Sequence, residues 1–130
     1  MSTNRTLRTP LSRVRYLGSA HSGTQHFWRQ RLTSVALVPL TIAFVLIVVG
    51  LLGSSQVTAA QTLGSPLIAI VMLLFLLNTA YHMWLGMQVI IEDYVHHELL
   101  KIGCLMANTF FCFTTGLTCV YAICQLAFGL

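Results

Sequence analysis

Residues 81–97 read YHMWLGMQVIIEDYVHH, and this stretch decides the fold. Its first half lies inside an apolar run of membrane-spanning length, yet it contains a histidine, His82. Its second half leaves that run through two acidic residues, Glu92 and Asp93, which mark a boundary with water. A histidine at hydrocarbon depth is costly unless something binds it. His82 is therefore the first candidate functional residue, and the question is what it binds.

The composition of the whole chain is that of an integral membrane protein. Of its 130 residues, 56% are hydrophobic and only 8% are charged, whereas about 25% of the residues in soluble proteins are charged. No charged residue occurs between Arg31 and Glu92. This long uncharged stretch excludes a water-soluble domain and predicts an all-α membrane protein.

Three apolar segments are long enough to cross a membrane as helices, since ~20 residues at ~1.5 Å each span the hydrocarbon core. These three predicted spans are residues 32–52, 67–91 and 102–126. The uncharged polar segment 53–65 predicts a loop between the first two spans. Two domains follow from this division: a basic N-terminal arm at residues 1–31 and a membrane anchor domain at residues 32–130.

The basic arm predicts the orientation of the helices. Residues 1–31 are rich in arginine and free of acids, which is typical of a mitochondrial targeting segment or of a basic arm that binds anionic lipid or a soluble partner. Basic excess marks the cytoplasmic side. We therefore expect a cytoplasmic N-terminus and a periplasmic C-terminus in a bacterial inner membrane, with the mitochondrial inner membrane as the alternative. No nucleic-acid partner is expected.

Small residues follow one side of the third span. Its cysteines have no C-x-x-C spacing and no histidine nearby, so neither a zinc site nor a disulfide framework is expected. A stripe at three-to-four spacing predicts a close helix–helix seam, with a ligand groove as the alternative. It consists of Cys104, Asn108, Cys112, Thr115 or Gly116, and Cys119. The four cysteines are Cys104, Cys112, Cys119 and Cys124.

On a helix, His82 shares a face with Asn78, Gly86 and Asp93. Eleven residues separate His82 from Asp93, which is about 16 Å along the helix axis. His82 then lies near the middle of the bilayer and Asp93 at the water boundary. Gly86 leaves room on this face for a planar ligand or for another helix.

Three roles are open for His82. It forms a hydrogen bond across a helix interface, it belongs to a proton relay, or it is an axial ligand of a haem, for which neutral imidazole is a standard donor. A relay needs further titratable groups at the same depth, and the stretch from Arg31 to Glu92 holds no charged residue and no second histidine. A haem would need cations for its propionates, such as Arg29 and Arg31, and a bis-histidine haem would need a second chain.

A quinone is the other ligand that suits this geometry, because its tail is apolar and its carbonyls need donors near the water boundary. Tyr94 can donate a phenolic hydrogen bond to a carbonyl. Asp93, His96 or His97 can exchange protons with the reduced oxygens. A tyrosine at a helix end is also a common interfacial anchor, so both interpretations of Tyr94 stay open.

Three stretches of the chain resemble a known family. The pattern His-x-x-x-Gly-Met-Gln-x-x-x-x-Asp-Tyr at residues 82–94 is similar to the smaller hydrophobic membrane anchor subunit of succinate dehydrogenase, respiratory complex II. The segment at residues 27–40, Phe-Trp-x-x-Arg-Leu-Thr-x-x-Ala-Leu-x-Pro-Leu, resembles the start of that subunit's first helix. Residues 8–23 are similar to alphaproteobacterial members. The resemblance covers almost the whole chain.

The resemblance implies a subunit that is not catalytic alone. It implies a complex with a flavoprotein subunit, an iron–sulfur subunit and a second hydrophobic anchor subunit, with which the three helices pack into a bundle that shares one haem b and a ubiquinone site. By the same resemblance, His82 is an axial ligand of the haem iron and Arg31 lies near the haem propionates. Tyr94 binds ubiquinone, and Asp93 is its acidic neighbour.

Two alternatives to this function remain. One is the anchor of a fumarate reductase or another quinone-linked complex, which would differ mainly in its soluble partner and its quinone. The other is a structural membrane protein without a cofactor, in which His82 serves only to pack helices. The resemblance assigns no role to Glu92, His96 or His97.

Overall fold

The chain is mostly helical in the part that the structure covers. The computed structural model describes Thr9 and residues 21–129, so the greater part of the predicted arm at residues 1–31 lies outside the described residues. Within this part there are helices and no strands, which confirms the predicted all-α fold. The helices are α1 (His21–Gly50), α2 (Gln56–Leu63), α3 (Pro66–Tyr94) and α4 (Glu98–Phe128).

Three of these helices are long and apolar enough to cross a membrane. The candidate spans within them are Thr24–Gly50, Pro66–Tyr94 and Glu98–Phe128. The helices extend into the polar segment 92–101, and only residues 95–97 connect α3 to α4. No glycine or proline interrupts this segment, and glutamate, leucine and lysine are good helix formers. The division into an arm and an anchor domain stays a prediction.

The segment 53–65, predicted as a loop, contains the short helix α2 instead. Ser55 is its N-cap, and the Ser55 hydroxyl oxygen accepts a hydrogen bond from the backbone N–H of Thr58 at 3.2 Å. A serine in this position satisfies a backbone donor that the first helical turn leaves free. Gly53, with a φ of 79°, forms the turn that separates α1 from α2. Polarity alone was therefore the wrong signal for a loop.

The long helices form a single row with α3 in the middle. Helix α3 packs against α1 on one side and α4 on the other, and in the described residues α1 does not contact α4. The stacked rings of Phe44 and Phe75, with centroids 4.5 Å apart, join α1 to α3. Together with the contact between Thr33 and His82, this pair shows that α1 and α3 are antiparallel. The start of α1 and the charged end of α3 therefore lie at the same end of the molecule.

The buried core is small and lies at the opposite end of the row. Its cluster consists of Ala69, Met72 and Ile123, with α2 packed nearby. Most other large apolar side chains of α1, α3 and α4 are exposed. Lipid solvates such side chains as well as a protein interior does. The two broad faces of the row are thus surfaces for lipid or for another membrane protein.

Candidate functional site

A polar contact joins α1 to α3 at the histidine that the sequence singled out. The hydroxyl oxygen Oγ1 of Thr33 lies 2.8 Å from Nδ1 of His82. One turn away on α3, the side-chain amide of Asn78 donates to the backbone carbonyl of Thr33 at 3.0 Å. The hydrogen bond across a helix interface, one of the three roles expected for His82, is therefore present. It uses one ring nitrogen; Nε2 of His82 has no hydrogen-bond partner in the described part of the chain.

Helix α1 fills the space that Gly86 leaves on this face of α3. A Cβ built on Gly86 would stand 3.4 Å from the side-chain nitrogen of Gln30. The sequence left a planar ligand and a helix as alternatives at Gly86, and the structure places a helix of the same chain there. The face of α3 that carries Asn78, His82 and Gly86 is thus the face that packs against α1.

Two further polar atoms of α1 belong to this contact region. Nε2 of His26 and Oε1 of Gln30 are buried and have no hydrogen-bond partner among the described residues. His26, Gln30 and Thr33 are spaced four and three residues apart, so they share one face of α1. This spacing is the sequence signal for a polar face on α1, a face that the search for a ligand of His82 did not reveal.

Arg31 points away from the contact between Thr33 and His82. Arg31 and Thr33 are two residues apart, which is about 200° around a helix. The guanidinium carbon of Arg31 lies 4.9 Å from the centre of the Phe27 ring, a cation–π geometry. Within this chain the structure does not bring Arg31 to His82. The guanidinium is exposed and has no acidic partner among the described residues.

Asp93 and Tyr94 occupy the last two positions of α3, and both are exposed. The Tyr94 side chain is 78% exposed, and its hydroxyl makes no hydrogen bond within the described residues. Nδ1 of His96 lies 3.0 Å from the backbone carbonyl oxygen of Tyr94, to which it donates. The two predicted boundary residues are therefore adjacent and accessible, about 16 Å along the axis from His82.

Glu92, to which the sequence assigned no role, stabilises the turn between α3 and α4. The side-chain amide of Gln88 donates to Oε1 of Glu92 at 3.1 Å. Across the turn, Nζ of Lys101 donates to the backbone carbonyl of Glu92 at 3.0 Å. These contacts fix the end of α3, and with it the position of Asp93 and Tyr94.

The small residues of α4 form both the seam and the groove that the sequence considered. The side-chain amide of Asn108 donates to the backbone carbonyl of Trp84 at 3.1 Å, and Gly116 packs closely on Ala80. Beside this seam runs an apolar groove of about 340 Å³, with Cys112 in its wall. His82 lies on the other side of α3. No group of three or more metal-binding side chains occurs among the described residues.

The comparisons with known proteins agree with one another. The family model described as "Succinate dehydrogenase/Fumarate reductase transmembrane subunit" matches residues 5–122. The chain is 31% identical over 121 residues to the succinate dehydrogenase hydrophobic membrane anchor subunit of Paracoccus denitrificans, which covers 93% of this chain and 93% of the relative. A protein of that name from Rickettsia bellii is 28% identical over 116 residues, covering 89% of this chain and 93% of the relative.

A further relative of the same name, from Rickettsia conorii, is 27% identical over 107 residues, which covers 82% of this chain and 85% of the relative. No solved structure matches the chain significantly. The family match thus includes α1, α3 and the greater part of α4.

Proposed function

This chain belongs to the family of succinate dehydrogenase and fumarate reductase transmembrane subunits, as a membrane anchor subunit of succinate dehydrogenase, and we propose that it supplies one axial ligand of a haem b and part of a ubiquinone site. The relatives reported above all carry the succinate dehydrogenase name. Their names favour the oxidation of succinate over the fumarate-reducing alternative.

The anchor works with three other subunits. A second hydrophobic anchor subunit covers an exposed face of the helix row, because a single row cannot enclose a cofactor by itself. The iron–sulfur and flavoprotein subunits dock at the end that carries Arg29, Arg31 and the turn between α3 and α4. That end faces the cytoplasm of a bacterial inner membrane, since basic residues remain on the cytoplasmic side.

His82 provides the axial ligand through its Nε2 atom. The residue fits this role because Nδ1 is already bonded within the chain, to Thr33, while Nε2 has no partner among the described residues. Ligating histidines characteristically bond through their other ring nitrogen in this way. A bound haem accepts and releases single electrons. Arg31 pairs with the haem propionates, and its exposed guanidinium lacks an acidic partner among the residues described.

Tyr94 and Asp93 form this chain's part of the ubiquinone site. The phenolic O–H of Tyr94 donates a hydrogen bond to a quinone carbonyl and so orients the ring. Asp93, next to it at the water boundary, exchanges protons with solvent. Their exposure and the absence of hydrogen bonds from the Tyr94 hydroxyl within the described residues support this role. The rest of the pocket comes from partner subunits.

The observation that carries the proposal is that Nε2 of His82 has no partner in the described part of the chain, and the test is a His82→Ala variant of the assembled complex. We expect the variant to lose the low-spin haem absorbance spectrum or the haem itself. His97→Ala is the matched control, because His97 is exposed in the turn at residues 95–97 and its side chain makes no hydrogen bond to any residue that the structure describes. An unchanged bis-histidine spectrum in the His82 variant would show that another residue is the ligand.

A further inference from the structure

Thr33 is the one buried polar residue in the described part of the chain, at 7% exposure. Its hydroxyl oxygen contacts three atoms at hydrogen-bond distance. Two of them are backbone carbonyl oxygens of the same helix, at Arg29 (2.9 Å) and Gln30 (3.0 Å). The third is Nδ1 of His82, at 2.8 Å. All three contacts must be accounted for with a single hydroxyl hydrogen.

Counting donors decides where that hydrogen lies. Carbonyl oxygens only accept hydrogen bonds, and a threonine hydroxyl has one hydrogen and two lone pairs. If the hydroxyl donated to Nδ1 of His82, the contacts with Arg29 and Gln30 would set oxygen lone pairs against each other. If the hydroxyl shares its one hydrogen between the two carbonyls in a bifurcated hydrogen bond, all three contacts are satisfied, provided that Nδ1 of His82 carries a hydrogen and donates to Thr33.

We infer that Thr33 is a positioning residue: it accepts a hydrogen bond from Nδ1–H of His82 and thereby holds the neutral ring in the tautomer whose Nε2 has a free lone pair. This inference rests on the proposed function, because the free lone pair is what a haem iron binds. The same contact fixes the rotation of the ring and raises the basicity of the ligand.

A second contact holds Thr33 in place for this role. The side-chain amide of Asn78 donates to the backbone carbonyl of Thr33, one turn from His82 on the same helix. Two residues of α3 therefore form hydrogen bonds with Thr33: Asn78 with its carbonyl and His82 with its hydroxyl. These two hydrogen bonds set the register between α1 and α3 at Thr33, the residue that orients the His82 ring.

The experiment compares Thr33→Val, Thr33→Ala and Thr33→Ser in the purified four-subunit complex. Valine keeps the shape of threonine and removes the hydroxyl, whereas serine keeps the hydroxyl. We measure the haem midpoint potential and the binding of carbon monoxide to the reduced haem. Ser34→Ala is the matched control, because the Ser34 hydroxyl also donates to the Gln30 carbonyl, at 2.7 Å, and no contact joins it to His82.

We expect Thr33→Val to raise the midpoint potential, because the axial ligand becomes less basic, and to make a fraction of the reduced haem bind carbon monoxide. Haem retention should weaken by about 10- to 100-fold, the usual effect of losing an outer-shell partner of a ligand. Thr33→Ser and Ser34→Ala should behave like the parent complex. Thr33→Ala provides the same measurement if the valine variant does not assemble.

The results separate this inference from the proposed function. If the His82→Ala spectrum is unchanged, the ligand assignment fails and the inference falls with it. If His82→Ala loses the haem but Thr33→Val and Thr33→Ala keep the parent potential, Thr33 is not a positioning residue and the ligand assignment survives. Equal shifts in the serine and valine variants would assign the effect to packing and overturn the role of the hydroxyl.

Discussion

The side-chain amide nitrogen of Gln30 lies against Gly86, 3.4 Å from where a Cβ would stand on that glycine. This contact is one turn of α3 away from the hydrogen bond between Thr33 and His82. Because Gly86 has no side chain, Gln30 of α1 can approach the backbone of α3. Gly86 therefore controls the distance between the two helices at the level of the candidate haem ligand.

Gly86→Ala and Gly86→Leu should have opposite outcomes. A methyl group at 3.4 Å from the flexible end of Gln30 is an ordinary contact, so the alanine variant should assemble and keep its haem spectrum. A leucine displaces Gln30 and separates α1 from α3, and overpacking of this kind costs about 1–3 kcal/mol. We expect the leucine variant to lose haem, measured as haem per complex. Equal haem content in the two variants would contradict this account of Gly86.

The number and type of the long helices could be predicted because membrane crossing imposes a simple length rule on apolar segments. The helix α2 could not, because its start depends on one side-chain contact, from Ser55 to the backbone of Thr58, within a segment of low hydrophobicity. The sequence also did not predict the order of the helices in the row, with α3 between α1 and α4. Large apolar side chains are spread widely over all three long helices, so hydrophobic periodicity does not identify their neighbours.

The candidate site, too, could be predicted only in part from the sequence. The shared face of Asn78, His82 and Gly86 follows from helical spacing within α3 alone. The role of Thr33 depends on the register between two helices, and a threonine in a membrane helix ordinarily bonds to its own backbone. Thr33 does that as well. Only the position of α3 reveals that its oxygen also contacts His82.

Gly64→Ala should destabilise the end of the molecule where α2 meets α4. A Cβ on Gly64 would overlap the backbone carbonyl oxygen of Leu126. A backbone atom cannot move aside as a side chain can, so we expect a loss of about 1–3 kcal/mol and a lower thermal unfolding temperature of the purified complex. The haem spectrum should not change, because Gly64 precedes the start of α3 whereas His82 lies near the middle of that helix, about 27 Å further along the chain at ~1.5 Å per residue.

Gly103→Ala is the matched control for that experiment. Gly103 is inside α4, and a Cβ built there meets no atom within 4 Å. Alanine in a helix interior is favoured over glycine by up to about 1 kcal/mol, so this variant should be as stable as the parent or slightly more stable. If both alanine variants lower the unfolding temperature equally, the close approach of α2 to α4 is not the cause.

Tyr94→Phe should weaken ubiquinone binding and leave the haem unchanged. The substitution removes the phenolic donor and keeps the ring, and one hydrogen bond contributes about 1 kcal/mol, which corresponds to roughly a fivefold change in affinity. The measurement is the apparent affinity of the assembled complex for short-tailed ubiquinone analogues. Tyr121→Phe is the control, since Tyr121 is an exposed tyrosine near the far end of α4. An unaltered affinity in the Tyr94 variant would leave this tyrosine as an interfacial anchor only.

Asn78→Ala and Asn108→Ala should affect stability alike and the haem differently. Each asparagine donates one hydrogen bond from its side chain to a backbone carbonyl of a neighbouring helix, Asn78 to Thr33 at 3.0 Å and Asn108 to Trp84 at 3.1 Å. Such bonds between membrane helices contribute on the order of 0.6 kcal/mol. Both variants should therefore lower the unfolding temperature of the complex by similar small amounts.

Only the Asn78 variant should change the haem midpoint potential, because only Asn78 holds the residue that orients His82. Asn108 joins α3 to α4 on the other side of α3, away from the His82 ring. A matched loss of stability with a potential shift in Asn78→Ala alone would separate the geometry of the ligand from the general packing of the helices. Shifts of equal size in the two variants would mean that the haem responds to the packing of the whole row.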